Sequence, residues 1–370
     1  MKLTRHILGI SKKYPTPFII MDMDQVQSNY RKIKASINGV EVFYAVKAND
    51  DIRILEALTK EGSSFEISSL DELKKLIKLH VPASQIVCFN PIKNSEFLQE
   101  LSKYGVEIMA FDSTDEIDKI AKYAPRSKVV LRIIVDNEGS DWPLTKKFGV
   151  DAADALPLLK YAIKKKVTPI GLTFHVGSQC LNRNNWVSAL YVCHGVWNKA
   201  KDEGMQFNFL SLGGGLPIKH IKSIPTIKSI GSVINKVLAT NFKSAHGPTR
   251  IAIEPGRGMV GDAAIMVTKV IGRAKRGIED WIYIDAGVFN GLMETIANFQ
   301  YEIKTENGRK KKLVTIGGPS CDSVDIPFKN IPVPGVKTGE YLYIINAGAY
   351  TTVYASNFNG FAIPKIYFLK

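Results

Sequence analysis

The sequence predicts an α/β chain: a closed (β/α)8 barrel followed by a second domain of antiparallel β-structure, itself a β-barrel or sandwich. Three observations carry this. A chain of 370 residues is too long for one small domain and fits one large domain plus a smaller one. Up to Pro255, short β-branched apolar runs alternate with stretches whose apolar residues recur every three or four positions, the pattern of repeated βα units and a parallel sheet. After Pro255 the helical stretches stop and strand-like runs follow one another directly.

Eight runs read as barrel strands: VEVFYAV (40–46), SFEIS (64–68), QIVCFN (85–90), VEIMAF (106–111), KVVLRIIV (128–135), IGLTFHV (170–176), FNFLSL (207–212) and TRIAIE (249–254). The helices between them are plainest in DIRILEALTKEG, DELKKLIKLH, DEIDKIAKYA and ALPLLKYAIKKK, each with one apolar stripe. The second domain reads from AIMVTKVIGRAKR, DWIYIDAG, KKLVTIGG and GEYLYIINAGAY. The expected boundaries are 25–262 for the barrel and 263–370 for the β domain. Residues 1–24, which include PFIIMD, fit either and are assigned to the second.

Composition excludes several classes. Hydrophobic residues make up 45% and charged residues 23%, ordinary globular usage, and no apolar run approaches the ~20 residues of a membrane span. The opening MKLTRHILGISKKYP lacks a sustained apolar core and a small-residue cleavage pattern, so a cytoplasmic protein with no membrane partner is expected. Cysteines 88, 180, 193 and 321 have no metal-ligand spacing and read as free thiols; no metal site is expected. The net charge of +14 raises the question of a polyanionic partner. The lysines are scattered, apart from short runs such as Arg309 to Lys312, and no DNA- or RNA-binding motif occurs, so no nucleic-acid partner is expected.

In a (β/α)8 barrel the chemistry sits at the C-terminal ends of the strands. Those ends are rich in polar residues here: Lys47, Asn90, Asp112, His175, Gly213 to Gly215 and Glu254, with Arg132 inside the fifth strand. A lone lysine or histidine at a strand end is more often solvated or structurally satisfied. So many at one rim point to a site.

Seven segments then carry a resemblance: YAVKAND around Lys47, FEISSLDE, FHVGSQ around His175, LGGG at 212–215, EPGRGMV at 254–260, GPSCDSVD around Cys321 and GAYTTVYASNFNGF at 348–361. In order and spacing, over nearly the whole chain, they resemble the fold type III pyridoxal 5′-phosphate (PLP) decarboxylases. These are the alanine racemase-fold family of ornithine, lysine, arginine and diaminopimelate decarboxylases.

The resemblance implies a role for each matched residue. Lys47 holds PLP as a Schiff base, which needs an amine that can lose its proton. Gly213, Gly214 and Gly215 lack a Cβ that would keep backbone N–H groups from the phosphate, and Gly256, Arg257, Ser178 and Tyr350 complete that cradle. Glu254 faces the ring nitrogen, and a carboxylate there makes the ring a strong electron sink, favouring decarboxylation over racemisation. His175 stacks on the ring, Arg132 lies near Glu254, and Glu66 contacts His175 or the ring.

In such enzymes the Cys321 loop enters the neighbouring barrel of a homodimer. Cys321 returns the proton, and a thiol suits this because its pKa is within reach of neutrality. Asp322 binds the distal amine of a basic amino acid, with L-ornithine or L-lysine the leading substrates and polyamine biosynthesis the implied setting. At the position expected to hold a second carboxylate the alignment gives Asn298, with Glu294 near enough to compensate. A larger or an anionic or nucleotide-linked amino acid is the alternative substrate. A non-catalytic decarboxylase-like regulator is the alternative from another class, disfavoured because Lys47, Cys321 and the glycine loop are all present.

Overall fold

The computed structural model describes residues 1–144, 147–243 and 247–369. After a first strand, β1 (Phe18–Met21), come β2 (Val40–Ala45), β3 (Ser64–Glu66), β4 (Ile86–Cys88), β5 (Ile108–Phe111) and β6 (Lys128–Ile133). Next are β7 (Ser140–Trp142), β8 (Thr168–Phe174), β9 (Ser178–Cys180), β10 (Phe209–Ser211) and β11 (Arg250–Ile253). The eight strands read from the sequence as barrel strands are β2 to β6, β8, β10 and β11. They close in the order β10-β11-β2-β3-β4-β5-β6-β8. Every pairing is parallel, with Ile251 opposite Val40 where the last strand meets the first and Phe209 opposite Gly171 between β10 and β8. Parallel pairing brings all C-terminal strand ends to one rim, which is why residues far apart in sequence meet there.

The barrel is filled by inward side chains: Phe43, Val87, Phe89, Ile108, Ala110, Val130, Ile170, Phe209 and Ala252 form one buried cluster. The Phe209 ring meets Phe89 and Phe43 edge-on at centroid distances of 6.0 and 6.5 Å. Its strand neighbour Gly171 has no alternative, since a Cβ there would lie 1.7 Å from the Phe209 carbonyl oxygen. The outer helices begin where the sequence supplies caps. Asp51, Ser69, Asn94, Ser113 and Thr226 each accept a backbone N–H of the first turn, worth about 1 kcal/mol apiece.

The chain divides into two compact units, residues 27–217 with 225–256, and residues 1–26 with 218–224 and 257–370. Residues 25–26, 218–224 and 257–262, which the sequence reading places with the barrel, here cluster with the β unit. That unit contains β12 (Ala264–Arg276), β13 (Glu279–Ile284), β14 (Glu302–Lys304), β15 (Lys311–Gly317), β16 (Phe328–Pro334), β17 (Tyr341–Ile345) and β18 (Lys365–Phe368). Strand β1 settles the position of PFIIMD: it pairs antiparallel with β12 and parallel with β18. Its Phe18 and Ile20 join Ile265, Val267, Tyr343 and Ile345 in the core of this unit.

The sheet is mostly antiparallel, with two exceptions that the sequence reading did not foresee. The pairs β1–β18 and β13–β15 are parallel. A hairpin cannot make a parallel pair, but the long connection from Ile284 to Lys311 can cross over, and β14 together with a short 3-10 helix (Met293–Ala297) occupies it. Among the described residues no helix is long and apolar enough to cross a membrane, and no cluster of His, Cys, Asp or Glu could hold a metal ion.

Phe209 gives a direct test of the barrel core. Phe209→Ala should lower unfolding stability by about 3–5 kcal/mol through lost burial and the cavity left behind. Urea unfolding would measure it, and a loss below ~1 kcal/mol would mean the cluster does not carry the barrel.

Candidate active site

Lys47 stands on a single 3-10 turn (Val46–Ala48) directly after β2, its side chain 46% exposed above the buried Tyr44, Ala45 and Val46. The turn is held from both sides. The Tyr44 hydroxyl donates to the Asn49 carbonyl at 2.8 Å, and the Ala45 N–H donates to the Pro255 carbonyl at 3.2 Å. The ammonium lies 3.3 Å from Oε2 of Glu66, a carboxylate with only 1% of its side chain exposed. The other oxygen of Glu66 accepts from the Ser68 hydroxyl at 3.3 Å. Glu66 thus faces Lys47, where the sequence reading offered His175 or the ring.

Glu254, at the end of β11, is 8% exposed. Its Oε1 accepts from the Ser211 hydroxyl in a short contact and from the Thr173 hydroxyl at 3.4 Å, and its N–H donates to the Gly213 carbonyl at 2.9 Å. Burial, with Glu66 adding to it, pushes the carboxyl up to about 7 against the pull of Ser211, Lys47 and Arg132. Arg132 feels the same burial, which lowers its pKa, while Glu254, Asp112 and Glu66 counter it. Buried carboxylates and the cations Lys47 and Arg132 therefore share one barrel mouth.

His175 is neutral. Burial, then Arg132 and Lys47, hold it well below the usual histidine range. Its Nδ1 accepts the Gly177 N–H at 3.0 Å, so the ring proton sits on Nε2. The Asn137 amide fixes the same turn by donating to the His175 carbonyl at 3.0 Å.

The glycine loop follows β10. Gly213 and Gly215 have φ of 63° and 101°, and a Cβ on Gly213 would meet the Phe174 carbonyl oxygen at 1.9 Å. A Cβ on Gly214 would fall 2.9 Å from His175 Nε2. Ser178 opens β9, paired with Trp142 of β7, and Gly256 is buried. The barrel thus brings together Lys47, Glu66, Arg132, His175, Ser178, Gly213, Gly214, Gly215, Glu254 and Gly256.

The β unit holds the remaining residues. Arg257 and Glu294, each with a side chain 4% exposed, form a two-pronged ion pair, Nη1 to Oε2 at 2.9 Å and Nη2 to Oε1 at 2.5 Å. The guanidinium also stacks on Tyr350, 4.9 Å from the ring centroid. Both Glu294 oxygens are thus engaged by Arg257, where the sequence reading offered Glu294 as a contact for the substrate amine. Asn298 is exposed at a φ of 61°. It ends the short 3-10 helix, a left-handed position that asparagine tolerates well. It also lines a cavity of about 310 Å³ with Phe299, Ser323 and Val324.

Cys321 and Asp322 lie on an exposed loop. The Cys321 N–H and thiol both reach Asn359 Oδ1, at 3.1 and 3.2 Å, and Asp322 Oδ1 accepts the Val324 N–H at 2.8 Å. The loop is pinned from beneath by Asp325, 3% exposed, which accepts from the N–H groups of Val288 (2.7 Å) and Ser320 (3.0 Å).

Sequence reasoning missed Asp325, Asn359, Ser211, Thr173 and Glu72. Of these only Glu72 left a readable signal, the S-x-x-E capping box Ser69 to Glu72. Its carboxylate accepts the Ser68 N–H at 2.6 Å, and burial pushes it up to about 7 beside Glu66 and Lys47.

These residues fit PLP. The barrel mouth offers an amine, a flat neutral imidazole, a loop free of Cβ atoms, and a buried carboxyl whose raised pKa a protonated ring nitrogen would relieve. In the β unit, Arg257 keeps a buried Nε–H with no hydrogen-bond partner, a donor suited to an anion.

The raised pKa of Glu254 makes a prediction for the cofactor-free protein. Because its folded value, about 7, lies above the ordinary 4.5, its contribution to stability is complete below pH 4.5 and is lost as pH rises through 7. The melting temperature of the parent protein should therefore fall across that window relative to Glu254→Gln. Parallel curves from pH 4.5 to 8 would contradict the burial argument.

Comparison with known proteins agrees with the site. Residues 23–261 match the family model described as pyridoxal-dependent decarboxylase, pyridoxal binding domain. The chain is 35% identical to the lysine/ornithine decarboxylase of Selenomonas ruminantium, covering 98% of this chain and 92% of that one. It is 31% identical to the ornithine decarboxylase of Mus musculus, covering 95% and 80%. Among solved structures, lysine decarboxylase from Selenomonas ruminantium superposes with a TM-score of 0.92 at 33% identity, covering 100% and 97%. The lysine/ornithine decarboxylase of Vibrio vulnificus complexed with putrescine gives 0.90 at 27%, covering 99% and 98%. A buried carboxyl and a lysine at one barrel mouth, with that likeness along the whole chain, lead to one conclusion: the chain belongs to the pyridoxal-dependent decarboxylases, enzymes that use PLP to remove the carboxyl group of an amino acid.

Proposed function

We propose that this enzyme decarboxylates a basic L-amino acid, L-lysine or L-ornithine, to the corresponding diamine and CO2 in polyamine biosynthesis, as a cytoplasmic homodimer. The observation that carries the substrate class is Asp322. It is an exposed carboxylate adjacent to Cys321, with only Oδ1 engaged by its own loop, and so can meet a distal ammonium. The relatives named for lysine and ornithine support the same class.

When bound, PLP supplies a ring that takes up the electron pair left behind as CO2 departs. Lys47 anchors the cofactor through its amine. Glu254 would hold a proton at the ring nitrogen, its charge little screened in the buried barrel mouth. His175, neutral and fixed through Gly177, would offer the cofactor ring an uncharged neighbour. Cys321 delivers a proton from Sγ to the carbon that has lost its carboxyl group, and Asp322 orients the chain of the substrate.

The dimer reading rests on the surface around Cys321. Val324 (53% exposed), Ile296 (52%), Phe358 (40%) and Phe361 (36%) lie on the loop or near it and Asn359, exposed apolar side chains of the kind an interface covers. A second copy of the chain covers it, and each site then takes Lys47 from one subunit and Cys321 with Asp322 from the other.

Two measurements test this. Release of CO2 from L-lysine and L-ornithine should far exceed that from acidic or nucleotide-linked amino acids, and Asp322→Ala should raise KM for both strongly. Turnover of neither basic substrate would overturn the proposal. Mixing Lys47→Ala with Cys321→Ala subunits should restore activity to about a quarter of the parent enzyme, because half the dimers are hybrids with one intact site. No recovery despite demonstrated subunit exchange would mean that each chain builds its own site.

A further inference from the structure

Arg257 has more donors than its visible partner uses. A guanidinium carries five N–H groups. Glu294 takes one from each Nη in an end-on fork, while Nε–H is buried and has no hydrogen-bond partner. The plane is clamped between Phe299 and Tyr350, 4.6 and 4.9 Å from the ring centroids, so it cannot turn to bring Nε elsewhere. Of the donors that Glu294 does not take, Nε–H is the one left buried without a hydrogen-bond partner.

One further contact fixes Glu294 in this arrangement. The Tyr301 hydroxyl donates to its Oε2 at 3.3 Å. His220 packs edge-on against Phe299 and Tyr301, at 4.8 and 5.1 Å, with both ring nitrogens buried and lacking hydrogen-bond partners. Burial, with Arg257 adding to it, pushes His220 down to about 3, so it is neutral and adds no positive charge. For Arg257 itself burial works to lower the pKa, but Glu294 outweighs it and lifts the group above its ordinary value. The guanidinium is charged and largely neutralised.

We propose that Glu294 is a built-in antagonist of phosphate binding: it holds Arg257 end-on, leaves the side-on Nε–H for the phosphate of PLP, and weakens that phosphate's attachment by its own negative charge. The proposal rests on the reading of Arg257 as a phosphate ligand. An oxyanion at the side-on Nε–H would lie within a few ångströms of the Glu294 carboxylate, across one shared cation. Like charges at such separation in a partly desolvated setting weaken binding on the order of 10- to 100-fold. The consequence is a cofactor that exchanges readily and an enzyme whose occupancy follows the PLP concentration around it.

The test is equilibrium binding of PLP, and of pyridoxal, which lacks the phosphate, to cofactor-free protein, followed by absorbance. Glu294→Gln should tighten PLP at least tenfold and leave pyridoxal unchanged. Glu294→Ala, a second neutral variant in which water can reach Arg257, should do the same, whereas Glu294→Asp, which keeps the charge, should stay close to the parent. Unchanged pyridoxal affinity also reports that a variant has folded. Arg257→Gln separates the two layers of the argument. If it leaves PLP affinity untouched, Arg257 does not bind the phosphate and both readings fall. If Arg257→Gln weakens PLP while the neutral Glu294 variants bind it equally or more weakly, Arg257 keeps its role and the antagonism of Glu294 is disproved.

Discussion

The barrel mouth is organised around the cost of burying two carboxylates. Glu66 and Glu254 are almost fully removed from water, and each raises the energy of the other. An uncompensated buried charge costs several kcal/mol, so the surroundings must supply cations and donors. Lys47 answers Glu66, Arg132 lies near both, and Ser211 and Thr173 donate to Glu254. The compensation is incomplete at Glu254, whose carboxyl stays up at about 7. That deficit is what a protonated heteroaromatic nitrogen would fill.

The β unit separates scaffold from chemistry within a few residues. In the CDSVD segment, Asp325 turns inward to hold Val288 and Ser320, while Cys321 and Asp322 remain outside. A Cβ on Gly287 or Gly318 would press against Asp325, at 2.3 and 2.2 Å, so both glycines are part of the same pin. Arg257 and Glu294 repeat the theme in the interior, each satisfying the other while one donor is held in reserve.

The barrel was legible in the sequence because strands buried on both faces are continuous apolar runs and the helices between them carry their own caps. The polar ends of those strands were legible for the same reason: Lys47, His175 and Glu254 interrupt apolar runs at the rim. The partners of those groups were not. Ser211 lies inside an apolar strand and gave no sign that its hydroxyl serves Glu254, and the pairing of Glu294 with Arg257 joins positions thirty-seven residues apart through packing that periodicity does not encode. The parallel pairs in the β unit escaped notice because a strand pattern shows which residues face inward, not which neighbour the strand joins.

The central claim is that Lys47, set against Glu66 at the barrel mouth, is where the cofactor is held. The direct measurement is reduction of the PLP-loaded protein with borohydride, digestion, and mass spectrometry of the labelled peptide. The account predicts one phosphopyridoxyl group per chain on Lys47, and none after Lys47→Ala. A label on any other lysine, or stoichiometric labelling of the Lys47→Ala protein, would contradict it.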